Sequence, residues 1–208
     1  MIRIFSMIDI LKDNCRHKSF TRAVELISDR RPKKVIEFGT MFNGQHEGWS
    51  TLIFARLSES LGFEFHSIDY DKSHCDISKD RLRENDLLEN VILRNECQFS
   101  RMSSDTQSYD FLYIDAADKD TVLEELTKNN FLNDSAIILI DDCLPGTQLD
   151  NMFKIINRSD KLHPILPTAN LEYNYEEKKY WGLSKDNPLN TGILEYPTQI
   201  ILEYRKNG

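Results

Sequence analysis

The sequence lacks any apolar run close to the roughly 20 consecutive residues that a membrane-spanning helix requires. Its first residues, MIRIFSMIDILKDNCRHK, also lack the apolar centre and the small-residue cleavage site of a signal peptide. These two absences predict a protein of the cytoplasm that has no membrane partner.

Basic side chains are in the minority, with 26 Lys and Arg against 34 Asp and Glu and a formal net charge of -8. Affinity for nucleic acid depends on clustered Lys and Arg, so we expect no nucleic-acid partner. Cysteine is also scarce. The four cysteines, Cys15, Cys75, Cys97 and Cys143, form no C-x-x-C pair and no zinc-like spacing with histidine. We therefore expect reduced thiols and no zinc site.

Glycine is too sparse in the first candidate cofactor loop for a dinucleotide site. This loop reads EFGTMFNGQHEGWST over residues 37 to 51, and it has no G-x-G-x-x-G triplet. A dinucleotide turn uses that triplet so that backbone amides can approach a pyrophosphate at a helix N-terminus. The missing triplet argues against a dehydrogenase. An acidic Glu37 in the loop favours a cationic or amine-bearing ligand instead.

Short apolar strands alternate with amphipathic segments, which is typical of a parallel sheet flanked by helices. With 208 residues, 40% of them hydrophobic, the chain fits one globular domain. We predict an α/β fold with a Rossmann-like, doubly wound, mostly parallel sheet and an antiparallel last strand. The predicted strands are 35–38, 63–68, 90–93, 109–114, 136–140 and 199–204, and the predicted helices are 50–61, 74–85 and 121–129.

Three parts make up this predicted single domain, 1–208. Residues 1–32 have the pattern of one or two helices, and residues 33–146 contain the candidate cofactor loop and the first five predicted strands, and so would form the cofactor-binding core. Residues 147–208 form a C-terminal part whose segment 161–192 is rich in aromatic and polar residues. We expect this segment to be irregular and to lie on the acceptor side of the site.

Acidic residues follow the predicted strands at the edge where open α/β sheets bind their ligands. Any one of them is explained equally well as a helix cap or a turn residue. Several together would repel one another, so the group implies a bound cation or a ligand rich in donors. These acidic residues are Glu37, Asp69, Asp71, Asp115, Asp141 and Asp142.

Asp69 ends the second predicted strand, where an acidic side chain is able to accept both hydroxyls of a ribose. Its position alone does not separate NAD from another adenosine cofactor.

Five motifs together resemble the class I S-adenosylmethionine-dependent methyltransferases. They are E-F-G-T, G-W-S-T, S-I-D-Y-D, Y-D-F-L-Y-I-D-A-A-D-K-D and I-L-I-D-D. Within that class, the sequence is most similar to the metal-dependent O-methyltransferases of the catechol, caffeoyl-CoA and macrocin types. The resemblance covers roughly residues 33 to 146, and the segment after the fourth strand is its most specific part.

The resemblance implies a set of residues that bind S-adenosylmethionine. Glu37 and Gly39 would border its methionine part, Asp69 would bind the ribose, and the segment containing Glu96 and Cys97 would lie near the adenine. Residues 41–47 would be an enlarged part of the cofactor loop, ahead of the helix that begins with G-W-S-T. The full implied set is Glu37, Gly39, Thr40, Gly48, Ser50, Asp69, Glu96, Cys97 and Asp115.

The resemblance also implies a metal site made of Asp115, Asp141 and Asp142, whose oxygen ligands suit Mg²⁺. The catechol and caffeoyl-CoA types have Asp-Asn where this chain has Asp141 and Asp142, as the macrocin-like enzymes do. Asp115 and Lys119 would be the catalytic residues, with Lys119 as the general base. In this chain Lys119 follows Asp115 by four positions instead of three, so the alternative is a solvated lysine that begins the next helix.

The predicted function is therefore S-adenosylmethionine-dependent O-methylation of a small molecule, such as a sugar, a phenolic compound or another secondary metabolite, by an enzyme that uses a divalent metal. Methyltransferases of this kind are often dimers or larger, so the resemblance allows a homodimer and leaves the oligomeric state open. One alternative is a metal-independent enzyme that methylates an amine or a carboxylate. A second alternative is a catalytically silent protein that binds the cofactor.

Overall fold

The computed structural model describes residues 17–40, 49–104, 108–141, 143, 147–165, 172–174, 179–181 and 199–206. The helices are α1 (His17–Arg30), α2 (Trp49–Leu61), α3 (Lys72–Glu84), α4 (Gln98–Ser104), α5 (Lys119–Lys128) and α6 (Thr147–Arg158). The strands are β1 (Lys34–Phe38), β2 (Glu64–Asp69), β3 (Ile92–Asn95), β4 (Tyr109–Ile114), β5 (Leu132–Asp141), β6 (Leu162–Pro164), β7 (Glu172–Asn174), β8 (Lys179–Trp181) and β9 (Gln199–Tyr204).

Seven of the strands form one sheet in the order β3-β2-β1-β4-β5-β9-β6. The pairs among β1 to β5 are parallel, whereas β9 runs antiparallel to both β5 and β6. The chain builds outward from β1 to β3 and then returns to place β4 on the other side of β1. This reversal creates a topological switch point between β1 and β4, where open α/β sheets bind ligands. The predicted fold class is confirmed.

Both faces of the sheet are covered, which explains why its central strands are almost continuously apolar. On one face of the sheet, Val35 and apolar side chains of the neighbouring strands pack against α1, α2 and α3. Ile36 and Phe38 point the other way, into a second core cluster with α4, α5 and α6. Because successive side chains alternate between faces, Glu37 lies on the α2 side of β1.

Two helices are absent from the sequence-based prediction. The helix α4 has only seven residues, too few to show a clear period. The helix α6 is longer, and its apolar positions do have helical spacing. Its buried side chains are Leu149, Met152, Phe153, Ile155 and Ile156.

Segment 161–192, which we predicted to be irregular, contains three short strands in its described part. It contains β6, which pairs with β9, and the two strands β7 and β8, which pair with each other. Three-residue strands are too short to show an alternating pattern. Pro164 is tolerated in β6 because that strand lies at the edge of the sheet.

The N-terminal helix α1 packs its apolar side on α2 through Ala23, Val24, Leu26 and Ile27. Among the helices of the described residues, none has both the length and the hydrophobicity to cross a membrane. The predicted first helical residues, before His17, lie outside the described ranges.

Candidate functional site at the switch point

The carboxyl ends of the parallel strands carry the predicted acidic residues along one edge of the sheet. Main-chain hydrogen bonds continue the sheet one residue past its strands at this edge. Asp115 N donates to Phe38 O at 2.8 Å, and Glu96 N donates to Asp69 O at 3.0 Å. The backbone that carries these side chains is therefore fixed by the sheet itself.

Gly39 lies at the switch point, where β1 ends beside β4. Its φ is +91°, a conformation that side chains rarely tolerate. A Cβ atom at this position would lie 2.4 Å from the Asp115 carbonyl oxygen and 2.8 Å from its carbonyl carbon. Gly39 N also donates to Ile68 O at 2.9 Å. The glycine predicted from the sequence is required here because the backbones of two strand ends meet.

Glu37 is fully buried on the α2 side of β1. The hydroxyls of Thr51 and Ser67 both donate to its Oε2 atom at 2.7 Å. Its Oε1 atom accepts no hydrogen bond from the described residues. A buried carboxylate oxygen without a donor is costly, so this atom is suited to accept a hydrogen bond from a ligand.

Burial raises the pKa of Glu37 to about 7, because a carboxylate loses its hydration inside the protein. Nearby hydroxyls, including those of Ser50 and Thr51, oppose this rise in the pKa by stabilising the charged form. The negative charge of Asp115 adds to the rise. A positively charged group bound at this position would counteract the loss of hydration and the repulsion from Asp115, and would lower the pKa of Glu37 again.

Asp69 ends β2 and is almost fully buried. Its Oδ2 atom accepts a hydrogen bond from Thr40 N at 3.0 Å and lies 3.2 Å from His74 Nδ1. Its Oδ1 atom accepts one from Asp71 N at 2.8 Å. Since each carboxylate oxygen has two acceptor positions, Oδ1 retains capacity for one ligand hydroxyl.

Asp71, also on this edge, is a helix cap. Its side chain accepts hydrogen bonds from the backbone and the hydroxyl of Ser73 at the start of α3, at 2.7 and 2.6 Å. The structural alternative given for single acidic residues is therefore correct at this position.

Asp141 is the last residue of β5 and is fully buried. The Tyr113 hydroxyl donates to its Oδ2 atom at 2.5 Å. In the parallel register Ile114 pairs with Ile140, so Asp115 and Asp141 follow as neighbours at two adjacent strand ends. Strands lie about 4.8 Å apart, which places these two acidic residues side by side.

The third predicted metal ligand, Asp142, lies outside the described residues, as does the predicted cofactor residue Gly48. Within the described ranges, no three His, Cys, Asp or Glu side chains converge as a metal site would require. Of the predicted magnesium set, the described residues contain Asp115 and Asp141, which follow the paired residues Ile114 and Ile140 at the ends of two adjacent strands. Carboxylate oxygens are ligands of the kind that such an ion prefers.

Lys119 is the first residue of α5 and is only 7% exposed. It is therefore not the solvated lysine that the alternative interpretation expected. The turn before it is held by α6, because Gln148 Nε2 donates to the Ala117 carbonyl. A second hydrogen bond joins α6 to α5 itself, since Asn151 Nδ2 donates to Asp120 Oδ2 at 3.2 Å.

The predicted adenine-side residues Glu96 and Cys97 follow β3. The Glu96 Oε1 atom lies 3.6 Å from Arg101 Nε, and Arg101 Nη2 donates to Tyr109 Oη at 2.8 Å. Cys97 is exposed. Of the remaining predicted cofactor residues, Thr40 is buried beside Asp69, and Ser50 is buried in the first turn of α2.

Three polar residues of the site were missed from the sequence. Thr51 and Ser67 bind Glu37, and Tyr113 binds Asp141. Ser67 did give a signal, since it interrupts the apolar strand E-F-H-S-I-D. Tyr113 gave none, because a tyrosine in the apolar strand Y-D-F-L-Y-I is an ordinary core residue.

No protein-family model and no curated protein matches the sequence. Solved structures do match the fold. An O-methyltransferase from Bacillus cereus in complex with SAH has a TM-score of 0.60 and 14% identity, covering 97% of this chain and 91% of its own. A SAM-dependent O-methyltransferase from Thermotoga maritima has a TM-score of 0.63 and 12% identity, covering 96% and 71%.

A third structure, the SAH-bound methyltransferase PaMTH1 from Podospora anserina, has a TM-score of 0.62 and 14% identity. The comparison covers 88% of this chain and 76% of PaMTH1. At such identities the likeness concerns the fold alone. The fold of this chain is therefore similar to that of S-adenosylmethionine-dependent O-methyltransferases, which confirms the resemblance that the sequence motifs indicated.

Proposed function

We propose that the protein is an S-adenosylmethionine-dependent methyltransferase that methylates a hydroxyl group of a small molecule with the help of a divalent cation. The observation that carries this proposal is the buried Glu37, whose Oε1 atom lacks a donor among the described residues beside the switch point. The cofactor supplies an ammonium group that would satisfy it. The SAH-bound structures of the same fold support the choice of cofactor.

In this proposal the cofactor lies across the carboxyl ends of β1 and β2. Glu37 accepts a hydrogen bond from the cofactor ammonium. The backbone of Gly39 and Thr40, fixed by the close approach of Gly39 to the Asp115 carbonyl, borders the methionine part. Ser50, in the first turn of α2, would face the cofactor carboxylate, and the sequence resemblance assigns Gly48, which lies outside the described residues, to the same group. Asp69 binds the ribose through Oδ1. Glu96 and Cys97 border the adenine.

The cation would be held by Asp115, Asp141 and Asp142. The neighbouring positions of Asp115 and Asp141 support this assignment, since like charges side by side favour a bound cation. When bound, such an ion acts as a Lewis acid that lowers the pKa of a coordinated hydroxyl.

Lys119 is the residue that we propose removes the acceptor's proton. In its uncharged form, its amine accepts that proton, and the acceptor oxygen bonds to the methyl carbon. The cofactor would supply the methyl group, and its sulfur would keep the electron pair of the broken carbon–sulfur bond as a neutral thioether. The sheet edge contributes by holding the two reactants in line.

A calorimetric titration with S-adenosylhomocysteine, with and without Mg²⁺, tests the proposal. We expect binding by the wild-type protein and a Mg²⁺ heat that is lost in an Asp141→Ala, Asp142→Ala double variant. Asp134→Ala is the matched control, because Asp134 is an exposed acidic residue near the other end of β5. No cofactor binding by the wild-type protein would rule out the methyltransferase function.

A metal-independent methyltransferase of an amine or a carboxylate is the second candidate. It rests on the same buried Glu37 and the same strand-end site, with Asp141 binding the substrate instead of a metal ion. This candidate predicts that a chelator leaves turnover unchanged, whereas the first candidate predicts that turnover is lost and restored by Mg²⁺.

A further inference from the structure

The hydrogen bond between Tyr113 and Asp141 joins two fully buried side chains of adjacent strands. The distance from Tyr113 Oη to Asp141 Oδ2 is 2.5 Å, which lies within the range of hydroxyl–carboxylate hydrogen bonds. Removing the hydroxyl would therefore take a hydrogen-bond donor away from the buried carboxylate.

The Tyr113 ring is held in place by its surroundings. The ring of Phe54, from α2, packs edge-on against it with 5.1 Å between centroids. In the adjacent strand β5, the residue paired with Tyr113 is Leu139, two residues before Asp141. The donor is thus fixed in position before any ligand binds.

The main chain of Asp141 is fixed as well, because Asp141 pairs with Gln199 of β9. The hydrogen bond from Tyr113 to Oδ2 therefore acts on the orientation of the carboxylate, and with it on the direction in which the other oxygen faces.

We propose that Tyr113 is a positioning residue that holds the Asp141 carboxylate in the orientation needed to bind a divalent cation. This inference rests on the metal-dependent form of the proposed function. Partners of this kind orient the direct ligands of metal sites, and their loss typically weakens metal affinity about 10- to 100-fold. Tyr113 itself does not touch the cation.

The test is a Mn²⁺ titration followed by electron paramagnetic resonance, on protein saturated with S-adenosylhomocysteine. Tyr113→Phe keeps the ring and removes the hydroxyl. Tyr204→Phe is the matched control, because Tyr204 is also fully buried and donates to Asn129 O at 2.9 Å, near the opposite end of β5. We expect Mn²⁺ affinity to fall about 10- to 100-fold in Tyr113→Phe alone.

Affinity for S-adenosylhomocysteine and the thermal midpoint show whether the fold has survived each substitution. Equal Mn²⁺ affinity in Tyr113→Phe and the wild type would overturn the inference, and so would a wild-type protein that binds S-adenosylhomocysteine but no Mn²⁺. Failure to bind S-adenosylhomocysteine would instead count against the methyltransferase function.

A second measurement uses only the wild-type protein, so it does not depend on whether a variant folds. In wild-type protein with ¹³C-labelled tyrosine, bound Mn²⁺ should broaden the ring signals of Tyr113 far more than those of Tyr204. Equal broadening of the two tyrosines would contradict the inference, because Tyr113 would then not neighbour a metal ligand.

Discussion

Gly39 and Asp115 meet so closely that a Cβ atom on the glycine would lie 2.4 Å from the Asp115 carbonyl oxygen. The contact joins the ends of β1 and β4, the two strands between which the chain reverses direction. It therefore sets how tightly the ligand crevice closes at its base. The groups in contact belong to the backbone, so neither can move aside by a rotation of a side chain.

Gly39→Ala should destabilise the protein strongly. An alanine with positive φ costs about 1 to 2 kcal/mol, and forcing atoms into a packed region adds about 1 to 3 kcal/mol. We expect the free energy of unfolding, measured in urea, to fall by about 3 kcal/mol.

Gly62→Ala is the control for that substitution. Gly62 also has a positive φ, +77°, but nothing lies within 4 Å of the position that an alanine methyl group would take there. We expect only the backbone cost of about 1 kcal/mol. Equal losses in the two variants would show that the contact with Asp115 contributes nothing.

The buried Glu37 should make the wild-type protein less stable as the pH rises from about 4.5 to about 7. Its pKa is raised from 4.5 to about 7 in the folded state, so the folded protein keeps a proton that the unfolded chain releases. The full loss in the free energy of unfolding is about 3 kcal/mol, and it is complete above pH 7.

Glu37→Gln should remove this dependence. Urea unfolding of both proteins at pH 5 and pH 8 measures it, and the other titrating groups cancel in the comparison. A wild type and variant whose stabilities change in parallel would show that Glu37 keeps an ordinary pKa in the folded protein.

Asp69→Asn should weaken binding of S-adenosylhomocysteine about 10- to 100-fold, because hydrogen bonds to a charged carboxylate contribute about 1.5 to 3 kcal/mol. Calorimetry measures the affinity. Asp71→Ala, two residues away, should lower stability and leave affinity unchanged, since Asp71 caps α3. If both variants lost affinity equally, the effect would belong to the start of α3 and not to a ribose contact.

Lys119→Met should reduce kcat about 100- to 10,000-fold, the range for loss of a general base, without changing affinity for S-adenosylhomocysteine. The buried position of Lys119 suits a methionine, which is similar in length and carries no charge. Lys128→Met, at the exposed end of the same helix, should leave kcat unchanged. A normal kcat in Lys119→Met would exclude it as the base.

The positions of the central strands and the acidic edge could be predicted because both depend on local patterns. Runs such as A-I-I-L-I identify central strands, and the residues that follow them must lie at one edge of a parallel sheet. Gly39 was predictable for the same reason, since it directly follows such a run.

The polar partners of the site could not be predicted, since they come from cross-strand register and from helix placement. Nothing local in the sequence shows that Tyr113 faces Asp141, 28 positions later. Lys119 was ambiguous because its burial depends on how α5 packs against the sheet. The strands β6 to β8 were missed because each has three residues, fewer than an alternating pattern needs.

The position of β9 between β5 and β6 has a consequence for how such a chain can diversify. Both ends of residues 166–198 are anchored, by β6 and by β9, to the same sheet. The entropy of closing a chain segment grows only slowly with its length, by about 0.6 kcal/mol for each doubling. Insertions and deletions between these two anchored strands would therefore cost the folded state little, so that the length of this segment could change in evolution almost independently of the core.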